Sequence, residues 1–277
     1  MPSRNNKNIS VDYLKGVSAQ VRRDIIDMIY KAGTGHPAGS LSSVEIFVSL
    51  YFGIMNYDPK NPSWEERDRL FVSAGHICPA QYSVMAEVGF FDKKLLPTYA
   101  KLGSILQGHP ERVKLPGIEN TSGPLGLGLA QSVGYALSAR MDEKDFRVFC
   151  ICSDAEHDEG NHWEAVLLAA KYKLSNLTLF IDRNMIQIES GTEQTLPLGD
   201  LGEKYRAFEW NVLEIDGHNF DEIMSATSSA KEFKDGPTVI ISRTTAGKGV
   251  SFMESDPSWH AKAPSVDEYK KAMEELI

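Results

Sequence analysis

The chain has 277 residues, 42% of them hydrophobic, and carries 38 acidic against 29 basic residues for a net charge of −9. That length can bury one large core or two modest ones, and an acidic chain with no Lys/Arg-rich run argues against nucleic acid as a partner. No apolar stretch reaches membrane-spanning length, the polar start MPSRNNKN is no signal peptide, and three cysteines (Cys78, Cys150, Cys152) suggest a reducing, cytoplasmic setting rather than a disulfide scaffold.

The first predicted element is a helix over Ser10–Lys31. Val11, Leu14, Val17, Val21, Ile25, Met28 and Ile29 recur at three- and four-residue steps, and Gly33 and Gly35 stop it. A second helix is expected near Ser42, where Ser42 and Glu45 have capping-box spacing. Segment Asp58–Arg69 is polar and proline-punctuated, hence loop. No early strand–loop–helix unit stands out. From Phe146 onward strand-like and helical runs alternate: Phe146–Cys152, Leu177–Ile181, Val212–Ile215 and Thr238–Ser242 read as strands, and Asn161–Lys173 as a helix between the first two. The order predicts an α/β fold, a parallel sheet covered by helices on both faces, in a single domain over residues 1–277. Cys150 and Cys152 share one strand face and read as buried packing.

The densest chemistry lies between Ser153 and Asn184. SDAEHDEG follows one strand and IDRN follows the next, so Asp154 and Asn184 stand at two strand ends. Neighbouring parallel strands end side by side, and the two side-chain oxygens can therefore meet. A hard divalent cation bridging a diphosphate suits such a pair. The segment GPLGLGLA invites a dinucleotide-binding reading, but the preceding LPGIENTS is loop-like, whereas a Rossmann loop follows a buried strand. Seven histidines are present, none with H-E-x-x-H spacing. His157 and His162 are five apart, which on one helix puts them on different faces, so zinc is not expected.

Five further segments occur in order around the Asp–Asn pair: TGHPAGSLSSVE, RDRLFVSAGH, LQGHPE, SGPLGLGLA and the pair Trp259-His260. Together they resemble the N-terminal, diphosphate-binding half of transketolase, over roughly residues 10 to 277. The metal motif departs from the common form: Ser153 and Ala155 replace two glycines, and Arg183 precedes Asn184. The resemblance implies thiamine diphosphate held through magnesium or calcium, with Asp154, Asn184 and the Ile186 carbonyl on the metal. It places His76, Gly123, Pro124, Leu125, Ala155, Glu156, Ile188 and His260 at the cofactor. His36 and His109 would face the reacting sugar, and Glu159 would lie near the subunit contact. Such enzymes also need a pyrimidine-binding domain, which this sequence does not contain. The expected partner is a separate C-terminal subunit, with two copies of each chain, and the expected reaction moves a two-carbon ketol unit between sugar phosphates. The alternatives are another thiamine enzyme, such as a 2-oxo acid dehydrogenase alpha subunit or a deoxyxylulose-phosphate synthase, a transketolase with an unusual donor, or a non-catalytic relative.

Overall fold

The structure is a computed structural model and describes residues 9–276; the polar start discussed above lies outside the described residues. Helix α1 (Val11–Ala32) begins at Ser10, whose hydroxyl accepts the Tyr13 N–H at 3.2 Å, and ends at Gly33, held in the left-handed region at φ 69°. Helix α2 (Pro37–Ser42) starts directly after His36, with proline at the position where a missing N–H costs nothing. Helix α3 (Val44–Ser49) follows at once. The capping box read at Ser42 and Glu45 is not formed. Ser42 Oγ instead donates to Asp182 Oδ2 at 2.6 Å, and Glu45 pairs with Arg22 at 2.7 Å. Partners distant in sequence outcompete the local cap.

Residues 58–68 are turns and irregular backbone, as read, but Arg69 opens an unexpected strand, β1 (Arg69–Val72), which leads through a short turn into α4 (Cys78–Glu87). An early strand–loop–helix unit therefore exists. β1 has only four residues, all buried, so it shows no alternation. Helix α5 (Leu127–Met141) follows a long loop rather than a strand, as the rejection of a Rossmann loop requires. Next come β2 (Val148–Ser153), α6 (Gly160–Lys171) and β3 (Leu177–Arg183). A two-residue ladder, β4 (Ile186–Gln187) with β5 (Ser190–Gly191), and a single turn, α7 (Thr192–Thr195), precede α8 (Leu201–Ala207). The chain ends with β6 (Asn211–Asp216), α9 (Phe220–Glu232), β7 (Thr238–Arg243) and α10 (Val266–Glu275).

The five long strands form one parallel sheet in the order β1-β2-β3-β7-β6. Alternate residues feed two cores. Phe149, Ile151, Phe180 and Ile240 pack with α1, α3, α4 and α9, while Cys150, Cys152, Leu179, Ile181 and Val239 pack with α5, α6 and α8. Both faces are covered, as predicted, and both strand cysteines are fully buried. Ser153 stands opposite Asp182, and Asp182 opposite Ser242, so three strands finish level. Their loops share one edge of the sheet. Among the described residues, no helix is long and apolar enough to cross a membrane.

Candidate active site

Asp154 leaves β2 and starts a tight 3-10 turn, Ala155–Asp158. Its side chain is fully buried. Oδ1 accepts the Ala155 N–H at 2.8 Å, while Oδ2 accepts the Met185 N–H at 2.9 Å and a guanidinium N–H of Arg183 at 3.1 Å. Burial pushes its pKa up to about 6, against the lowering pull of the Met185 N–H and Arg183. Met185 lies between Asn184 and Ile186, so the Met185 bond seats the second loop directly on Asp154. The Asn184 amide donates to Asp182 Oδ2 at 3.0 Å and Ser42 Oγ at 3.2 Å, leaving its oxygen to accept the Ile186 N–H at 3.1 Å. The acid and the amide read from the sequence are thus joined by one loop. Ala155 is absent from the residues with positive φ, so its side chain fits where a glycine was expected.

Beside this pair opens a cavity of about 220 Å³, lined by His76, Leu125, Ala155, Asn184, Ile186, Ile188 and His260 among others. Four imidazoles gather at its end. The ring of His36 lies 5.2 Å from His76, 5.4 Å from His260 and 6.0 Å from His109, and His76 lies 5.4 Å from His260. They come from four separate segments: the start of α2, the turn after β1, the long loop before α5, and the turn before α10. Burial lowers the pKa of all four. His36 falls to about 4, helped by its neighbours His260 and His109. Near neutrality each ring is therefore uncharged, with one donor and one acceptor nitrogen. His36 Nδ1 is buried and has no hydrogen-bond partner among the described residues. A buried orphan of this kind awaits a ligand.

The glycine-rich loop does two jobs. Gly126 turns the chain at φ 79° into α5, and a Cβ on Gly128 would sit 2.5 Å from Ser73 Cα. Close helix–strand contact and delivery of Leu125 to the cavity are both real. Glu156 corrects one expectation: its carboxyl is fully buried, away from the cavity, and accepts from Ser73 Oγ and from the Gly126 and Ser153 N–H groups. It ties three cavity-facing segments together. Pro124 is exposed and does not line the cavity. Gly123 lies behind His109, and Glu159 lines the cavity from the start of α6.

Sequence reading missed several lining and supporting groups. Gln187 donates to Asp158 Oδ2 at 2.9 Å at the cavity wall, and both residues line it. Buried Asp182, inside the IDRN run itself, organises Ser42, Asn184 and Thr244. His157 and His162 are not on different helix faces: His157 belongs to the 3-10 turn, α6 starts only at Gly160, and the two rings lie 4.2 Å apart. A five-residue spacing was measured along a helix that does not extend that far. Ile188 is 63% exposed and adopts φ 54°, a rare conformation for a β-branched residue and a marker of functional strain.

Comparison with known proteins agrees with this arrangement. Residues 15–276 match the model of the transketolase, thiamine diphosphate-binding domain family. In Phocaeicola vulgatus, one of the two-chain enzyme components named for apulose-4-phosphate transketolase is 37% identical over 97% of this chain and 95% of its own length. The 6-deoxy-6-sulfo-D-fructose transketolase subunit of a Clostridium species is 41% identical over 92% and 93%. The crystal structure of Campylobacter jejuni transketolase superposes with a TM-score of 0.91 at 32% identity, covering 97% of this chain and 43% of that one. The level strand ends, the Asp154–Asn184 pair and the glycine loop are this family's scaffold, and the chain belongs to the transketolase thiamine diphosphate-binding domain family.

Proposed function

We propose that the chain, as one thiamine diphosphate-binding domain over residues 1–277, is the diphosphate-binding subunit of a two-chain transketolase. It transfers a two-carbon ketol unit from a ketose phosphate to an aldose phosphate. One observation carries the reading: four uncharged imidazoles and a buried Asp–Asn pair border a single cavity. The residues fit thiamine diphosphate and a divalent cation. Asp154 is a carboxylate held out of water, and such a group gains from a cation. Asp154, Asn184 and the Ile186 carbonyl would hold magnesium or calcium, and Leu125 and Ile188 offer apolar surface to the ring system.

Thiamine diphosphate, when bound, supplies the nucleophilic carbon and electron sink for breaking a ketose carbon–carbon bond. This chain's residues then orient the sugar and manage its protons. His36, with a bare buried Nδ1, and His109 beside it suit proton exchange with the sugar's hydroxyl and carbonyl oxygens. His76 and His260 suit hydrogen bonds to the diphosphate side. A cavity of about 220 Å³ falls below the roughly 300–1,000 Å³ of ordinary ligand pockets. This supports a site shared with a second chain that carries the pyrimidine-binding domain, in an assembly of two copies of each. The reducing cytoplasm suits its three free thiols.

The Phocaeicola and Clostridium relatives above are named for different ketoses, and Ala38 and Gly39 line this cavity, so the donor is to be found by a panel. The test is co-purification with the protein encoded beside this chain. A thiamine-dependent ketol-transfer assay over ketose phosphates, apulose 4-phosphate and 6-deoxy-6-sulfofructose follows. Transfer that needs both chains and the cofactor is expected. Absence of transfer with every donor, in a complex that binds the cofactor, would overturn the enzyme reading.

A further inference from the structure

Three buried polar side chains behind the Asp154 turn have no part in the chemistry above. His157, His162 and Tyr205 are 2%, 0% and 0% exposed. Tyr205 lies on α8, His162 on α6 and His157 in the 3-10 turn. The Tyr205 hydroxyl is 2.9 Å from His157 Nε2 and 2.7 Å from His162 Nε2. On the far side of its ring, His157 Nδ1 is 2.8 Å from the Asp154 carbonyl and 3.2 Å from that of Ser153.

The protons in this chain of contacts can be assigned. Carbonyl oxygens only accept, so His157 Nδ1 carries a hydrogen. The ring is buried and acted on by the positive charges of Arg183 and Lys204, hence neutral, and its Nε2 is a bare acceptor. The phenol must then donate to His157 Nε2, which frees its oxygen to accept the His162 Nε2–H. His162 Nδ1 is left as a bare nitrogen, and it has no partner among the described residues. A directed relay results: His162 to Tyr205 to His157 to the carbonyls of Ser153 and Asp154. The Cys152 thiol and the two imidazoles also lie within 4.8 Å of one another, a spacing open to a metal. The phenol oxygen already bridges the two Nε2 atoms, and burial pushes the thiol pKa well up, so hydrogen bonding is the better reading.

We propose that Tyr205 is a positioning residue for the cofactor site: by fixing the His157 tautomer it clamps the Ser153 and Asp154 carbonyls and so aims the Asp154 carboxylate. The inference rests on the reading of Asp154 as a metal ligand. It gives the turn a rigidity that does not depend on glycines, consistent with Ser153 and Ala155 in this sequence. Outer groups that orient metal ligands typically contribute 10- to 100-fold in metal affinity.

Two measurements test it. Long-range proton–nitrogen spectra of the full chain labelled with ¹⁵N-histidine should show His157 protonated at Nδ1 and His162 at Nε2, with the His157 pattern lost in Tyr205→Phe. The opposite His157 tautomer, or stoichiometric zinc on the purified chain, overturns the relay. Calorimetry of magnesium–thiamine diphosphate binding to the assembled enzyme provides the second arm. Tyr205→Phe should lose about 10-fold or more in affinity. His157→Asn, whose amide can still donate near the Nδ1 position, should bind within about threefold of wild type, whereas His157→Gln should fall as Tyr205→Phe does. Equal behaviour of the Asn and Gln variants sinks the inference. Asp154→Ala separates the two failures. If it binds normally, the metal-ligand reading is wrong; if it loses binding while Tyr205→Phe does not, the positioning role alone is wrong.

Discussion

Replacing Asp154 by asparagine separates a metal ligand from a structural carboxylate. The side chain is fully buried, and its pKa rises from the ordinary 3.8 to about 6, chiefly through burial. A folded-state pKa above the unfolded one means that the group's favourable contribution is complete below pH 3.8 and is lost as pH rises through about 6. At pH 7.5 the empty site therefore carries a penalty of about 3 kcal/mol for keeping the carboxylate charged, and at pH 4.5 about 1 kcal/mol. Asparagine keeps an acceptor for the Ala155 N–H but cannot ionise. It also presents an NH₂ to the Met185 N–H, at a cost of about 1–3 kcal/mol that does not vary with pH. Arg183 retains Glu193, at 2.7 Å, and Thr192.

The fixed cost cancels when two pH values are compared. Relative to wild type, Asp154→Asn should gain about 2 kcal/mol between pH 4.5 and pH 7.5. For a chain of this size that is a shift in relative Tm of roughly 4–8 °C. The assay is thermal and denaturant unfolding of the isolated chain at both values, alongside calorimetry of magnesium–thiamine diphosphate in the assembled enzyme. The variant should lose metal-dependent binding while improving its relative stability toward alkaline pH. A parallel pH dependence of the two proteins would refute the buried-charge argument, and undiminished cofactor affinity would refute the ligand assignment.

Three further outcomes are expected. His36→Ala and His109→Ala should each lower ketol transfer about 100-fold while changing cofactor affinity far less; normal transfer by both would make these rings structural. Arg22→Met should cost about 3–5 kcal/mol in chemical unfolding at pH 7, since it strips a bidentate partner from buried Glu45. Burial raises the Glu45 pKa, but hydrogen bonds from His218 and Arg22 overcome this and hold it at about 2, so this stabilisation exists above pH 4.5 and is lost as pH falls through about 2. A loss that does not shrink toward acid would deny its ionic origin. Finally, the purified chain should lack ketol transfer until the pyrimidine-domain chain is titrated in, with light scattering reporting two copies of each; full turnover by the chain alone would sink the two-chain reading.

What could be read in advance was set by local pattern, and what could not was set by partners far along the chain. The β2–α6–β3 unit announced itself because two apolar runs and one helical run fit a standard length, and Asp154 and Asn184 sit where such a unit ends. The four histidines were visible only as separate short motifs; their meeting depends on loops from four places. The capping box failed because Asp182, 140 positions away, attracts Ser42, while Arg22 and His218 attract Glu45. β1 escaped because four residues buried on both faces carry no period. Glu156 looked like a cofactor contact because it lies in the motif, but its backbone direction sends it inward to three donors.

Ile188 brings these threads to one point. It is a β-branched residue at φ 54°, which costs about 1–2 kcal/mol against an ordinary conformation, and it leaves 63% of its surface in water. Neither feature benefits the isolated chain. Both make sense if the residue is shaped for a surface that arrives later, because burying an isoleucine side chain returns about 1.5–3 kcal/mol. Ile188 lines the cavity and also the adjoining open cleft, where His260 stands beside it. The backbone strain thus holds an apolar side chain at the boundary between the enclosed half of the site and its open half. A residue placed there would be covered by cofactor on one side and by a partner chain on the other. The free energy that the fold forgoes at this position is thereby tied to assembly of the complete site.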